Sequence, residues 1–392
     1  MKETKPRLIV AFTHAKSSVL LRGQLADAKR RGYDVTALVG PGADKFVQSE
    51  GVKYVAVSME RQVALLHDAI SLWKLVRAIR RLRPHIVNAG TPKAGLLVTL
   101  AAAICGVPCR IYTLRGLRLE TTTGKRRKLL LRVEKTICRL AHRVVCISPS
   151  LRDRAVEIGI VSSEKAVVLG SGSSNGFDIK HYRLSDELRA RGMEIRTQNG
   201  IAQNGLVIGF VGRIVQDKGV SELLQAWRAL RTDYPQLKLL FVGEFDEGTI
   251  SDADRRAVEQ ETMHIDHTPD VRPYIAAMDI VVLPSYREGF GNVLAEASAM
   301  EKPVIATDIP GCRDAVAAEV SGILVPPQDT EALIQALRRY LDNPTFRELH
   351  GKQGRERIIG EFRQDLVWDA LDGLYQNLLR SKSLPLPRAQ DE

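Results

Sequence analysis

The sequence predicts an α/β protein built from two parallel-sheet domains, and three observations support this. The chain is 392 residues long, too long for one ordinary domain and sufficient for two that each bury a core. Short apolar, β-rich runs alternate with longer amphipathic segments almost throughout, which is the pattern of a parallel sheet covered by helices. That alternation pauses once, across the polar stretch from Asp178 to Asn204, and the break between domains is expected near residue 195.

In the first half the candidate strands are Leu8 to Phe12, Val35 to Val39, Lys53 to Val57, His85 to Asn88, Arg110 to Thr113, Arg143 to Ile147 and Ala166 to Leu169, with helical patterns between most of them. In the second half they are Leu206 to Val211, Lys238 to Val242, Ile280 to Leu283, Val304 to Ala306 and Ile323 to Val325. Beyond Val325 the pattern is helical, and Asp365 to Leu379 carries Leu366, Val367, Ala370, Leu371, Leu374, Leu378 and Leu379 at helical spacing. The expected division is residues 1–195, residues 196–364, a helix at 365–382 packing back on the first domain, and a loose tail at 383–392 with Pro385 and Pro387. Open α/β sheets bind ligands at the carboxyl ends of their strands, so the crevice between two such domains is the expected site.

Hydrophobic residues make up 44% and charged residues 26%, as in an ordinary soluble globular protein. Leu8 to Phe12 is too short for a signal-peptide core, and Ala94 to Val107 falls well short of the ~20 residues a spanning helix needs. A cytoplasmic chain is the expectation. Cys105, Cys109, Cys138, Cys146 and Cys312 show no Cys-x-x-Cys spacing and read as buried reduced thiols. No set of metal ligands is evident.

The net charge of +11 conceals an asymmetry: residues 1 to 170 hold 31 Lys and Arg against 12 Asp and Glu, whereas the remainder holds 26 against 34. A basic half implies an anionic neighbour, either nucleic acid, a phosphorylated substrate or an anionic membrane. Aromatics are only 5% and do not interleave with the basic clusters, which ranks nucleic acid below membrane or phosphate.

Two clusters carry the chemistry. After the strand ending at Val211 come Gly212, Arg213, Asp217, Lys218 and Gly219, followed by a helical segment from Val220 to Leu230. Gly212 permits a tight turn, Arg213 can fork across two phosphate oxygens, and Lys218 lies close to a helix start with free amides. The cluster reads as a diphosphate clamp or, taken alone, as a strand-to-helix turn with solvated charges. After the strand ending at Leu283 comes Pro284-Ser285-Tyr286-Arg287-Glu288-Gly289-Phe290-Gly291-Asn292-Val293-Leu294-Ala295-Glu296. Gly289 and Gly291 let successive amides face an anion at a helix start, and Glu288 and Glu296 are acceptors suited to sugar and ribose hydroxyls. Its plainer reading is a capped helix with exposed acids.

The Glu288-x7-Glu296 spacing, with Gly212-Arg213 and Lys218-Gly219, resembles the retaining glycosyltransferase family 4 of the GT-B fold. The order of motifs through Pro303 to Gly311 and Gly322 to Pro327 is similar as well. The resemblance covers most of residues 206 to 330 and implies two facing Rossmann-like domains with an interdomain cleft. It implies that Arg213 and Lys218 neutralise the diphosphate of a nucleotide-sugar donor, that Glu288 holds the donor sugar and that Glu296 holds the ribose. Amides of Gly289, Phe290, Gly291, Asn292, Val293 and Leu294 would complete the cradle. No cofactor and no metal ion is implied, since Arg and Lys carry the charge of the leaving group. Retention is explained in the family by front-face attack, in which the leaving phosphate takes the acceptor proton.

The first half, through Leu21 to Leu25, Thr91 to Gly95, Tyr112 to Arg118 and Gly170 to Gly176, resembles family members that build capsule, exopolysaccharide or O-antigen units. That implies a UDP-sugar donor, a saccharide on a polyprenyl diphosphate as acceptor, and peripheral attachment to the inner face of the cell membrane. Where many members have a Gly-Gly turn, this chain has Thr13-His14-Ala15-Lys16-Ser17-Ser18, whose hydroxyls and ammonium suit a phosphate; where many carry a His, it has Arg115. His14, Lys16, Ser17, Ser18, Thr91, Lys93, Arg115 and Arg118 are therefore candidates for the acceptor or a phosphate, with a structural role open for Arg115 and Arg118. From Lys125 to Leu140, Leu130, Val133, Ile137 and Leu140 share a helical face among basic residues. This segment reads either as a helix resting on an anionic bilayer or as a packed helix with a solvated basic face. Competing assignments are a nucleotide-sugar epimerase of the same architecture and a non-catalytic carbohydrate- or lipid-binding protein. A nicotinamide dehydrogenase is disfavoured because no Gly-x-Gly-x-x-Gly follows the first strand.

Overall fold

The structure, a computed structural model, describes residues 5–59, 65–202, 204–246 and 248–388. The chain forms two compact units, one of residues Met1–Gly176 with Gln364–Glu392 and the other of Phe177–Arg363.

The first unit runs β1 (Arg7–Phe12), α1 (Gln24–Arg30), β2 (Asp34–Val39), α2 (Asp44–Ser49), β3 (Lys53–Ala56), α3 (Leu65–Leu82) and β4 (Ile86–Gly90). It continues through α4 (Pro92–Ile104), β5 (Cys109–Leu114), α5 (Gly124–Leu140), β6 (Arg143–Cys146), α6 (Pro149–Glu157) and β7 (Ala166–Val168). Its seven strands pair in parallel in the order β3-β2-β1-β4-β5-β6-β7. Central β1 reads as an unbroken apolar run because both of its faces are covered. Leu8, Val10 and Phe12 pack with Leu25 of α1, whereas Ile9 and Ala11 pack with Leu75 and Ile79 of α3 and Val98 and Ala101 of α4.

The second unit runs α7 (Asp186–Gln198), β8 (Val207–Val211), α8 (Val220–Leu230), β9 (Lys238–Val242), α9 (Asp252–Glu261), β10 (Met263–Ile265), α10 (Arg272–Ala277) and β11 (Ile280–Leu283). There follow α11 (Asn292–Ala299), β12 (Val304–Thr307), α12 (Cys312–Ala315), β13 (Gly322–Val325), α13 (Thr330–Asp342) and α14 (Pro344–Glu361). Its six strands are also parallel, in the order β10-β9-β8-β11-β12-β13. In each sheet the order reverses beside the first strand of the unit, β1 or β8, which is the switch point where doubly wound sheets take ligands.

The division falls at 176/177 instead of 195/196. Phe177 belongs to the second unit because its ring packs on Phe290, 6.1 Å between centroids, and its amide donates to the Phe362 carbonyl. The polar pause is not a linker: it contains α7, whose Ser185 cap accepts from the Leu188 amide and whose Arg196 donates to the Ala277 carbonyl and to Asp279. α15 (Gln364–Arg380) returns to the first unit, burying Val367, Leu371, Tyr375 and Leu379 in the core of β1 and α1. There Arg31 pairs with Asp369 at 2.6 Å, and the Tyr33 hydroxyl donates to Asp372 at 2.7 Å. All five cysteines are free thiols, and burial raises the thiol of Cys109 to about 11. Among the described residues no helix is long and apolar enough to cross a membrane.

Candidate active site

In the second unit the loops after β8 and β11 are laced together at the carboxyl edge of the sheet. The β8 strand is followed by Gly212, whose amide donates to the Val242 carbonyl, and the chain turns through Gln216–Lys218 into Gly219. Gly219 is in the left-handed region at φ +70°, and a Cβ there would lie 2.0 Å from the Pro284 carbonyl oxygen, so only glycine lets the two loops meet. Across that contact the Lys218 ammonium pairs with Glu288, with 18% and 15% of the two side chains exposed, and the Ser285 hydroxyl donates to the same carboxylate at 2.9 Å.

Further links fix the register of the two loops. The Tyr286 amide donates to the Asp217 carbonyl, the Tyr286 hydroxyl donates to Glu222 at 2.6 Å, and Arg287 pairs with Asp217 at 2.9 Å. Burial and the neighbouring Glu222 carboxylate push the Tyr286 phenol well up, so it stays a donor. Asp217 Oδ1 and Glu222 Oε2 are buried and accept no hydrogen bond among the described residues. The β12 strand supports the arrangement from behind, where the Thr307 hydroxyl donates to the Ser285 carbonyl.

The residues expected to bind the donor divide by role. Lys218 and Glu288 are brought together, and the loop from Gly289 to Gly291 leads into α11, where the leading amides of Asn292 and Val293 lack intrahelical acceptors. The Leu294 amide, however, donates to the Gly291 carbonyl and is spent in the helix turn, and its side chain is in the core. Phe290 is core as well, stacked edge-on against Phe362 at 5.1 Å, so only its backbone can face a ligand. Glu296 is half-buried in α11. Arg213 pairs with Asp246 at 2.7 Å and is 45% exposed. An exposed pair of this kind is worth about 0–1 kcal/mol, so an incoming phosphate can displace Asp246 from Arg213 at little cost. Asp217, Glu222, Tyr286 and Arg287, which hold the loops, had no role assigned from the sequence, although all but Glu222 lie within its two polar clusters.

In the first unit a small cavity opens at the ends of β1 and β4, lined among others by Ser17, Asn88, Gly90, Thr91 and Arg115. Arg115 lies over Gly90, where a Cβ would fall 1.6 Å from Nη1, so glycine makes room for the guanidinium. Its Nε donates to the Ser174 hydroxyl at 2.7 Å. Among the described residues no carboxylate acts on it, and burial lowers the guanidinium to about 10. Ser174 is held in place by Asn175, which donates to the Arg22 carbonyl and accepts from Gln24 and from Trp368 of α15. Asn88 accepts from Thr113 and donates to the Tyr375 hydroxyl. Thr91 has φ +71°, a strained value for a β-branched residue, and is fixed by a 2.6 Å bond between its hydroxyl and that of Thr13.

Of the candidates for acceptor or phosphate, Ser17, Thr91 and Arg115 thus share this cavity, and the other candidates with described side chains are not among its lining. Lys93 is turned to Asp68, 2.6 Å away. Arg118 and His14 are exposed, and Ser18 is half-buried in the Ala15–Leu21 turn. The side chain of Lys16 lies outside those described. Asn88 and Gly90 also line the cavity and Ser174 anchors Arg115 beside it, although the sequence singled out none of the three as a site residue.

Residues 193–357 match the family described as "Glycosyl transferases group 1", and residues 18–172 match the "Glycosyl transferase 4-like domain". Over 372 residues, 94% of this chain and 96% of the relative, the sequence is 34% identical to the capsular polysaccharide biosynthesis glycosyltransferase CapM of Staphylococcus aureus. The chain belongs to glycosyltransferase family 4. This glycosyltransferase is also 24% identical, over 82% of its length and 83% of the relative, to the Escherichia coli UDP-Gal:alpha-D-GlcNAc-diphosphoundecaprenol alpha-1,3-galactosyltransferase. Its fold is shared with Anabaena Alr3699/HepE, solved in complex with UDP-glucose, at TM-score 0.76 and 20% identity over 94% of this chain and 99% of that one. It is shared too with sucrose-phosphate synthase from Thermosynechococcus elongatus, at TM-score 0.79 and 22% identity over 96% and 100%. The two parallel-sheet units are those of a GT-B glycosyltransferase.

Proposed function

We propose that this glycosyltransferase moves a hexose from a UDP-sugar to a saccharide carried on a polyprenyl diphosphate, in the synthesis of a surface polysaccharide, with retention of anomeric configuration and without a metal ion. The observation that carries the proposal is the meeting of Lys218 and Glu288, 70 residues apart in sequence, beside the head of α11. A cation for a diphosphate, a carboxylate for sugar hydroxyls and unbonded helix amides occupy one sheet edge. The names of the S. aureus and E. coli relatives support the pathway, the UDP donor and the lipid diphosphate acceptor, and the HepE complexes support the nucleotide.

In the reaction the bond from the anomeric carbon to the β-phosphate oxygen breaks while the acceptor oxygen bonds to the same face of that carbon, and the acceptor proton passes to the departing phosphate. Arg213 and Lys218 stabilise the charge growing on the diphosphate. Glu288 orients the sugar and Glu296 the ribose. Glu288 is already engaged by Lys218 and Ser285, which suits it to positioning and not to nucleophilic attack. Arg115, short of a carboxylate, receives an anionic group of the acceptor. The first unit, with 34 Lys and Arg against 17 Asp and Glu, holds the enzyme on the anionic inner face of the membrane where that acceptor resides.

The test is a panel of nucleotide sugars with a membrane lipid extract in the presence of EDTA, with the anomeric configuration of the product read by NMR. A single donor labelling lipid, with its configuration kept, is expected. An inverted product overturns the mechanism, dependence on a divalent cation overturns the metal-free step, and an epimerised donor with no lipid product overturns transfer.

A further inference from the structure

Three large apolar side chains stand exposed on one face of α3: Leu66, Ile70 and Trp73, at 82%, 52% and 61%. Spacings of four and three residues place them in one stripe about 10 Å long, while Leu75 and Ile79 on the opposite side are fully in the core. The same line continues through Arg77, Arg80 and Arg81, all exposed, and the Arg77 guanidinium lies 5.8 Å from the Trp73 ring. α3 packs on α4 and α4 on α5, so the outer faces of these helices form one layer on one side of the sheet. On that layer α5 exposes Lys125, Arg126, Lys128, Arg132, Lys135 and Arg139. The three helices contain only two acids, Asp68, which pairs with Lys93, and Glu134, which is buried.

Most apolar residues of α5 itself, by contrast, are turned inward: Ile137 is fully buried, and Leu130, Val133 and Leu140 are partly covered, leaving Leu129 exposed. The apolar face that the sequence suggested for α5, Leu130 with Val133, Ile137 and Leu140, is thus largely spent on packing, and α5 offers outward mainly charge, with Leu129 its one exposed large apolar side chain among the described residues. We infer that α3 is the element that enters the membrane, with Leu66, Ile70 and Trp73 reaching the boundary of headgroups and acyl chains of an anionic bilayer and the basic side chains of α3 and α5 resting on the headgroups. Charge complementarity selects this occupant: the layer offers cations without an opposing exposed acid, and the stripe ends in the aromatic residue that favours the interface. The inference rests on the membrane contact proposed above for the basic unit, but its test needs neither donor nor acceptor, so its failure leaves sugar transfer standing.

The experiment uses the full chain with vesicles of phosphatidylcholine alone and of phosphatidylcholine with an equal part of phosphatidylglycerol, followed by co-sedimentation and tryptophan emission. Of the three tryptophans Trp227 is buried and Trp368 is half-buried, so a blue shift and quenching by acyl-chain-brominated lipid report on Trp73. Both signals are expected with the anionic vesicles. Trp73→Phe should abolish them while the protein still sediments, and a Leu66→Ser/Ile70→Ser double variant should partition roughly tenfold less. Arg126→Gln/Lys128→Gln should weaken binding at low salt without removing the quenching of the fraction that remains bound. Bound protein whose tryptophan emission is unquenched, or a double variant that binds as wild type, would overturn the inference. A wild-type protein that ignores both vesicles but dissociates from a dimer to a monomer in the double variant would overturn it equally, and would give the face to a second copy.

Discussion

Replacing Arg115 with Met separates a binding arginine from a structural one, because the two roles predict opposite changes in stability. Burial lowers its guanidinium from the ordinary arginine range to about 10, a difference equivalent to about 3 kcal/mol of unfavourable charge burial. The whole side chain is only partly buried, so solvent screening makes this a ceiling. The arginine is charged in both the folded and the unfolded chain below pH ~10, so the cost is present in full near neutral pH and fades only as pH rises above the folded value. Against it stands the lost bond to Ser174, worth ~1 kcal/mol. Arg115→Met should therefore unfold later in urea near neutral pH, by about 1–2 kcal/mol. The same variant forfeits a charge-assisted contact of about 1.5–3 kcal/mol to the acceptor, or roughly 10- to 150-fold in kcat/KM. The loss should appear in the KM of the acceptor, with UDP binding measured by calorimetry unchanged. A variant less stable than wild type whose acceptor KM is unaltered would refute the reasoning, since the arginine would then be structural.

Lys218→Ala and Glu288→Gln should each lower kcat by about 10²- to 10³-fold, and removing both should cost little more than removing one because they act as a pair; a kcat within threefold of wild type for either variant would contradict their placement. Gly219→Ala forces φ +70° on a residue whose Cβ would meet Pro284, so the second unit should lose at least ~2 kcal/mol by denaturant melting, and an unchanged midpoint would count against the loop contact. Burial raises Glu134 to about 7 although it accepts a 3.1 Å bond from Tyr112. A folded value above the unfolded 4.5 means that stability falls as pH climbs from there to about 7. Glu134→Gln should thus stabilise the first unit by about 2–3 kcal/mol at pH ~8 and by nothing at pH ~4, as read from paired urea curves, and a gap that does not change with pH would exclude this origin.

Much of this architecture was legible because a strand covered on both faces must be continuously apolar, as β1 and β8 are. What escaped did so for equally physical reasons. β10 is three residues at a sheet edge, none fully buried and one of them His264, and so leaves no apolar run. α7 buries only Leu188 and Gly192 and is fixed by polar bonds from Arg196, so its helical period was too weak to read and its polarity resembled a linker. The Glu-x7-Glu spacing and the Gly-Arg turn pointed to the proposed donor site, since they are local in sequence. The pairing of Lys218 with Glu288 and the placing of Arg115 against Gly90 and Ser174 are products of tertiary approach, and sequence order does not encode them. Lys93 and Arg118 show the converse. Their residue types suited a phosphate, but the first is turned to Asp68 of α3 and the second stands exposed, outside the lining of the cavity.

The most direct test of sugar transfer is stoichiometric: a donor labelled in its sugar, a lipid-linked saccharide acceptor, and simultaneous counts of nucleoside diphosphate released and label incorporated into lipid. One diphosphate released for each sugar incorporated, with both lost in Glu288→Gln, is the predicted result. Diphosphate release without labelled lipid, or release that persists in that variant, would contradict it.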